Sequence, residues 1–171
     1  MIPLSFAVSG GLSWSKLPRS RNYELRQNGD VVGTLVRPSC LSSRFDAETS
    51  DGCRSFRRRG LCGAEIVDSV SEQPIATFKS AWGGQGLLTF AGGETFHLAC
   101  KGWWRPVWSV VAESSQPLLR LHTRERVVEL LTAAAVPESR VSLLIMFAWY
   151  RVLHAEEDAA SAATVAVIAA F

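Results

Sequence analysis

Apolar and polar residues alternate along most of this chain, in short runs that are separated by turn-forming residues. The stretch YELRQNGDVVGTLVR, starting at Tyr23, places an Asn-Gly-Asp turn at residues 28–30 between two such runs, a pattern typical of a β-hairpin. Three later stretches repeat the pattern, with turns at residues 71–74, 92–93 and 114–117. The chain is therefore predicted to form four hairpins in succession.

Weaker runs add further strands. CRSFRRRGLCG, residues 53–63, is predicted to be a strand that closes on a glycine turn, and SRFDAE precedes it as a shorter strand. RERVVELL fits a strand or a helix, but its β-branched Val127 and Val128 favour a strand. The total is about eleven or twelve antiparallel strands, and so many strands are expected to curl into a sandwich or a barrel, because an open sheet would leave exposed edges.

One segment near the end of the chain, RVSLLIMFAWYRVL at residues 140–153, is apolar at almost every position. A helix with this composition is hydrophobic on all sides and must be buried in a membrane or inside protein. Residues 141–153 would rise only about 20 Å as a helix. A membrane-spanning helix needs about 20 apolar residues, which rise about 30 Å. A longer span would bury charges such as Arg151 and Asp158, at about 2.5–3.5 kcal/mol each. The segment is therefore predicted to fill the protein core.

Two helices are expected in this region, joined around HAEED at residues 154–158: the apolar one, and an alanine-rich one at 159–170 on the surface or against a partner. An apolar helix needs walls on every side, and a closed barrel of the preceding strands supplies them. The predicted core of that helix contains Leu144, Ile145, Phe147 and Trp149, and Arg151 should mark where the chain returns to water. The fold class is thus mainly β (α+β), a closed antiparallel barrel around a central hydrophobic C-terminal helix.

Length and composition fit one globular domain. The 171 residues are 47% hydrophobic and 20% charged, and a formal net charge of +2 gives no global attraction to nucleic acid or anionic membranes, so an anion site would be local. The N-terminal residues lack the cationic region of a secretory signal, which favours a cytoplasmic location, with peripheral membrane association left open. The four cysteines form no C-x-x-C pair and are expected to be reduced, structural thiols.

A run of antiparallel hairpins that ends in a wholly apolar helix resembles the tubby-like C-terminal fold, which is shared by tubby proteins, phospholipid scramblases and LURP-one-related proteins. The stretches that carry the resemblance include YELRQNGDVVGTLVRP, GGETFHL, WSVVAESSQPLLRL and LLIMFAWYRVL, and they cover most of residues 22–153. The resemblance implies an N-terminal arm at residues 1–21, a barrel with a central helix at 22–154 and an alanine-rich helix or tail at 155–171. It also implies a binding role, because tubby domains bind phosphoinositides. It does not imply lipid scrambling, because the cysteine cluster and the calcium-binding loop of scramblases are not found in this sequence.

The densest positive charge lies in RSFRRRG, with Arg54, Arg57, Arg58 and Arg59. On a strand, Arg57 and Arg59 would share one face and Arg54 and Arg58 the other. Guanidinium groups suit phosphate, so these arginines are a candidate anion site. The alternative is that they are solvated side chains that prevent strand edges from pairing with other molecules.

A second candidate is KGWWRPVW, residues 101–108, where aromatic and basic residues are interleaved: Lys101, Trp103, Trp104 and Arg105. Such a patch suits stacked bases or a membrane interface. The alternative is that the tryptophans fill the core or cover the barrel end, with at least one of them inside.

No motif for a cofactor, a metal or catalysis is found, and the histidines at 97, 122 and 154 follow no shared pattern. The sequence therefore predicts a non-catalytic binding or scaffold module that is not transmembrane. Its expected partners are anionic phospholipid head groups, another phosphate ligand or a protein. The alternatives are a nucleic-acid-binding protein that uses the arginine strand and, less favoured, an enzyme with a pocket formed only in three dimensions.

Overall fold

The fold is a closed antiparallel β-barrel with one long helix through it, seen in a computed structural model. The structure describes residues 1, 4, 11–39, 42–60, 63–81, 85–102, 104–131 and 136–168, with 138 and 161–168 described by backbone alone. The elements are β1 Leu12–Lys16, β2 Tyr23–Gln27, β3 Asp30–Val36, β4 Phe45–Thr49, β5 Gly52–Arg59, β6 Gly63–Asp68, β7 Pro74–Ser80, β8 Gly86–Phe90, β9 Thr95–Lys101, β10 Val107–Ala112, β11 Pro117–His122, β12 Val127–Leu130 and α1 Glu138–Ile168.

Each strand pairs with its neighbours in sequence, and β1 closes the ring against β12, with Leu12 opposite Val128. The four predicted hairpins are present, as are the weaker strands that became β4, β5 and β12. The closed mainly-β barrel predicted from the sequence is thus confirmed. One difference is at the start of the chain, where Leu12–Lys16 is a strand of the barrel although residues 1–21 were expected to form an arm.

The strands form a barrel because their inward positions are apolar and alternate with polar outward ones. In β7 the buried residues are Ala76 and Phe78, and in β9 they are Phe96 and Leu98. A ring of twelve strands is wider than the eight-stranded barrels that side chains alone can fill. The sequence provides α1 for the remaining space.

The segment of α1 inside the barrel is buried on all sides, as seven consecutive residues from Leu144 to Tyr150 are each at most 2% exposed. The Phe147 ring packs edge-on against Phe56 and Phe78 of the wall, with ring centroids 5.7 and 5.3 Å apart. Trp149 packs against Trp14 at 6.1 Å. The predicted core residues Leu144, Ile145, Phe147 and Trp149 therefore lie in the core.

The C-terminal region differs from the expected pair of helices, because α1 continues without a break through HAEED to Ile168. Arg151 is half-buried, and Val152, Leu153 and His154 after it are buried. The helix therefore leaves the barrel at Glu156, about one turn later than Arg151. Among the described helices, none is long and apolar enough to cross a membrane.

Candidate anion-binding surface

The two ends of the barrel are defined by how α1 enters and leaves. Near its start, Arg140 Nη2 lies 3.0 Å from Glu94 Oε2 in the β8–β9 turn. Near its exit, Glu157 Oε1 of α1 lies 2.6 Å from Nη1 of Arg37, the residue that follows β3. Because the strands run up and down in sequence order, alternate turns lie at opposite ends.

The turns at these two ends carry opposite charge. The turns at the end where α1 exits, named here the basic end, follow β1, β3, β5, β7, β9 and β11, and their described residues are 17–22, 37–39, 42–44, 60, 81, 85, 102, 104–106 and 123–126. Their charged residues are Arg19, Arg21, Arg37, Arg44, Arg105, Arg124, Arg126 and Glu125. The turns at the other end, named the acidic end, carry Asp51, Glu72, Glu94 and Glu113 and no lysine or arginine. Although the formal net charge of the chain is only +2, the charges of its turns are separated along the barrel axis, positive at one end and negative at the other.

Some of the basic-end charge is neutralised. Arg44 Nε lies 2.7 Å from Asp46 Oδ1, and Arg37 is paired with Glu157. Among the described residues, Arg19, Arg21, Arg105 and Arg124 have no ion-pair partner within 4 Å. Most of the arginine charge at this end is thus available to an anionic partner.

The predicted arginine strand is β5, and the structure does not bring its four arginines together. Arg54 lies toward the acidic end, where its Nη1 is 3.0 Å from Asp68 Oδ2 across the β5–β6 pair. Arg58 lies toward the basic end, with its charge close to Tyr150 and Arg151 of α1. One continuous guanidinium cluster on this strand is therefore not formed.

The other two arginines of β5 face outward, as the strand alternation predicts, and each has an acidic neighbour. Arg57 Nη2 donates to Glu72 Oε1 at 2.7 Å, and this hydrogen bond lowers the pKa of Glu72. Arg59 Nη1 lies 3.5 Å from Glu65 Oε1. An anionic ligand at Arg57 would have to displace a carboxylate.

The aromatic-basic patch is divided between the interior and the surface. Trp108 is 3% exposed in the barrel core, which confirms that at least one tryptophan is inside. Trp104 is 82% exposed in the 102–106 turn at the basic end, with exposed Lys101 and Arg105 beside it in sequence. Trp103 lies outside the described residues.

The turn that presents Trp104 is held in place by its backbone. Gly102 has a φ of +89°, and a β-carbon there would lie 2.8 Å from the Arg105 carbonyl oxygen, so glycine is required. Thr123 Oγ1 donates to the Pro106 carbonyl at 2.9 Å and joins this turn to the arginine-rich 123–126 turn. The exposed indole and the arginines of these two turns therefore belong to one connected surface.

The exit of α1 brings buried polar groups to the same end. His154 is 7% exposed, its ring lies 4.6 Å from that of Tyr150, and burial lowers its pKa, with Arg151 acting in the same direction. Glu157, the Ser43 backbone and Asp158 oppose that shift in pKa. Burial also raises the pKa of Tyr150 to about 12. Both side chains are therefore neutral at pH 7.

Two clefts flank the helix. One of about 420 Å³ lies at the acidic end around the start of α1, with Ile75, Leu143 and Met146 as its apolar floor and Arg54 and Arg140 at its rim. Both arginines at this rim are paired with carboxylates, Asp68 and Glu94 respectively. The other cleft, of about 380 Å³, lies at the basic end beside the exit of α1.

The described residues offer no metal site, and the pKa of the Cys100 thiol is raised rather than lowered. Within the described part of the chain, no three His, Cys, Asp or Glu side chains are grouped as metal ligands would be.

Cys100 is a partly buried free thiol, and burial raises its pKa. Cys53 is free but exposed, which differs from the buried setting expected of a structural thiol. Cys40 and Cys62 lie outside the described residues.

The charge asymmetry between the ends was missed at the level of sequence, although its signal was present. The four-arginine run is recognisable in the sequence because its charges are adjacent in the chain. The turn arginines are scattered over more than one hundred residues, and they converge only because every second turn lies at the same end of the barrel. Summing charge over alternate turns of the predicted meander would have found them.

Comparison with known proteins gives no family assignment. No protein-family model matches the chain, and neither the curated proteins nor the solved structures contain a significant match. The resemblance to the tubby-like fold therefore remains a prediction, and function has to be argued from the geometry of this molecule.

Proposed function

We propose that this protein is a non-catalytic binding module that attaches to anionic phospholipid head groups through its basic end. The observation that carries the proposal is Trp104, an indole that is 82% exposed on an arginine-rich surface. Burying that indole in the lipid interface and neutralising the arginines would each contribute favourably. On the same proposal, the chain is related to the tubby-like barrels that its sequence resembles.

Energetic considerations support a lipid surface as the partner. A basic residue near an anionic membrane contributes about 1 kcal/mol, so several turn arginines together give reversible attachment. An amphipathic aromatic residue at the interface adds an apolar contact. The proposal moves the candidate site from the β5 arginines, of which Arg54, Arg57 and Arg59 have acidic neighbours, to the turns at the basic end.

The test is cosedimentation with vesicles of phosphatidylcholine alone and with phosphatidylserine added. Binding is expected only to the anionic vesicles, and it should weaken as salt screens the charges. Trp104→Ala and Arg105→Gln should each reduce the bound fraction. Val70→Ala is the matched control, because Val70 is 91% exposed at the acidic end.

Three outcomes would overturn the proposal: no binding to anionic vesicles, equal binding to neutral vesicles, or an equal loss in the Val70 variant. Nucleic acid is the competing partner for a basic surface with an exposed aromatic residue. A gel shift with single-stranded DNA or RNA addresses it directly. Binding that is tighter than to vesicles and falls steeply with salt would favour nucleic acid.

A further inference from the structure

The cleft beside the exit of α1 has the composition of an anion site that is separate from the Trp104 surface. It lies at the β1–β4 side of the strand ring, nearly opposite the β9–β10 turn that presents Trp104. Its volume is about 380 Å³, and its lining is Lys16, Arg21, Tyr23, Arg37, Phe45 and Glu157. Three cations and one carboxylate give the lining a formal charge of +2.

The β1–β2 hairpin carries the first two cations. Lys16 at the end of β1 is opposite Tyr23 in the β1–β2 pair, which places both at the rim. The turn between them is closed by the Leu17 N–H donating to the Asn22 carbonyl at 2.9 Å, and Arg21 lies within it. Among the described residues, neither the Lys16 ammonium nor the Arg21 guanidinium has an ion-pair or hydrogen-bond partner.

The third cation, Arg37, is held in a fixed orientation. Its Nε donates to the Ser42 carbonyl at 2.7 Å, and its guanidinium carbon lies 5.3 Å from the centre of the Phe45 ring. Its Nη1 donates to Glu157 Oε1 at 2.6 Å. This guanidinium therefore already donates to one oxyanion in the cleft, the carboxylate of Glu157.

We infer that this cleft binds the dianion of a phosphate monoester, with Lys16, Arg21 and Arg37 as its ligands and Glu157 as an internal competitor for Arg37. A phosphate monoester carries a charge of about −1.5 to −2 at pH 7, which complements the +2 of the lining. A carboxylate or a phosphate diester carries only one negative charge and would leave one cation uncompensated.

Tyr23 completes the set of donors. Burial raises its pKa, and the charges of Glu157 and Glu156 act in the same direction, so its hydroxyl stays protonated and can donate to a phosphate oxygen. Bound phosphate would compete with Glu157 and weaken the ion pair that ties the exit of α1 to the end of β3. Ligand binding and the attachment of the helix exit are therefore coupled.

This inference goes beyond the proposed attachment to lipid and does not depend on it. Arg21 and Arg37 lie at the basic end as well, but no residue of the cleft belongs to the Trp104 turn that carries the lipid proposal. The phosphate could belong to a soluble molecule or to a lipid. Calorimetric titration with inorganic phosphate and with glycerol 3-phosphate tests the soluble source. Vesicles of phosphatidylcholine with phosphatidic acid, a monoester, or with phosphatidylglycerol, a diester, test the lipid source.

The variants follow from the geometry. Arg21→Gln is expected to weaken phosphate binding about tenfold, because it removes one charge-assisted hydrogen bond to the phosphate. Arg19→Gln is the matched control, because Arg19 is in the same turn but outside the lining, and it should change binding little. Glu157→Gln should tighten binding severalfold, because it removes the competing carboxylate.

Lowering the pH from about 7.5 to about 5.5 should weaken binding to the unmodified protein, because the second proton of the phosphate returns near pH 6. The inference is overturned if neither inorganic phosphate nor either monoester probe binds, if Arg19→Gln weakens binding as much as Arg21→Gln, or if Glu157→Gln leaves binding unchanged or weaker. Phosphate binding that persists in Trp104→Ala while attachment to phosphatidylserine vesicles is lost would separate the cleft from the lipid surface.

Discussion

Truncation of Phe147 is the most direct perturbation of the helix inside the barrel. The side chain is 2% exposed, and its ring packs against Phe56, Phe78 and Tyr150 at centroid distances of 5.7, 5.3 and 5.8 Å. A Phe→Ala change in a core costs about 3–5 kcal/mol. Three aromatic neighbours are lost at once, and the hydrogen-bonded wall limits collapse, so we expect Phe147→Ala to cost about 4–5 kcal/mol.

Such a loss is large compared with the total free energy of unfolding, which is about 5–15 kcal/mol for a typical domain. For a chain of this size, the same loss corresponds to a fall in Tm of about 8–20 °C. Urea unfolding followed by circular dichroism measures the free energy, and thermal melts measure Tm. Phe147→Leu should cost less than half as much, because it keeps an apolar side chain of nearly the same reach.

Val70→Ala provides the surface control and should change the free energy of unfolding by less than about 0.5 kcal/mol. A loss below about 1 kcal/mol for Phe147→Ala would refute the reasoning. Such a result would mean that the ring is not surrounded by the barrel and that the space left behind is filled by solvent.

Three further predictions concern the core and the wall. Leu144→Asp places a charge at a site that is 1% exposed and should unfold the protein, which loss of the circular dichroism signal would show; a cooperative melt near that of the unmodified protein would contradict it. Burial lowers the pKa of His154, so the unfolded chain binds a proton that the folded protein does not, and the free energy of unfolding should fall as the pH drops below about 6.5. His154→Phe should remove that part of the pH dependence in urea titrations at several pH values, and an unchanged dependence would assign it to other groups. Gly86→Ala should cost about 1–3 kcal/mol, because a β-carbon there would overlap the Lys79 carbonyl oxygen, whereas Gly92→Ala has open space and should be near neutral; equal losses would contradict this.

The architecture was predictable because it depends on local patterns. Turn residues at positions such as 28–30 and 92–93 mark hairpins, and an apolar segment too short for a membrane requires enclosing walls. The continuity of α1 was harder to predict, because Glu156 and Asp158 are polar in sequence and suggest a break. In the structure they lie where the helix has left the barrel, so they face solvent without interrupting it.

The candidate surface was only partly predictable. The position of Trp108 in a strand follows from the sequence pattern. Which indole is exposed does not, because Trp104 lies in the 102–106 turn, outside the strand alternation that turns Trp108 inward. The partners of Arg54 and Arg57 depend on the register of β5 with β6 and on the shape of the turn that carries Glu72. The cleft near Arg37 combines three segments that are distant in sequence, and α1 supplies Glu157 only after passing through the whole barrel.

The central claim is that the basic end of the barrel is the binding surface. Hydrogen–deuterium exchange with and without phosphatidylserine vesicles tests this claim at the level of individual turns. The account predicts slower exchange at residues 17–22, 102–106 and 123–126 and unchanged exchange at residues 69–73 and 91–94. Protection at the acidic-end turns, or no change at either end under conditions where the protein is bound, would contradict it.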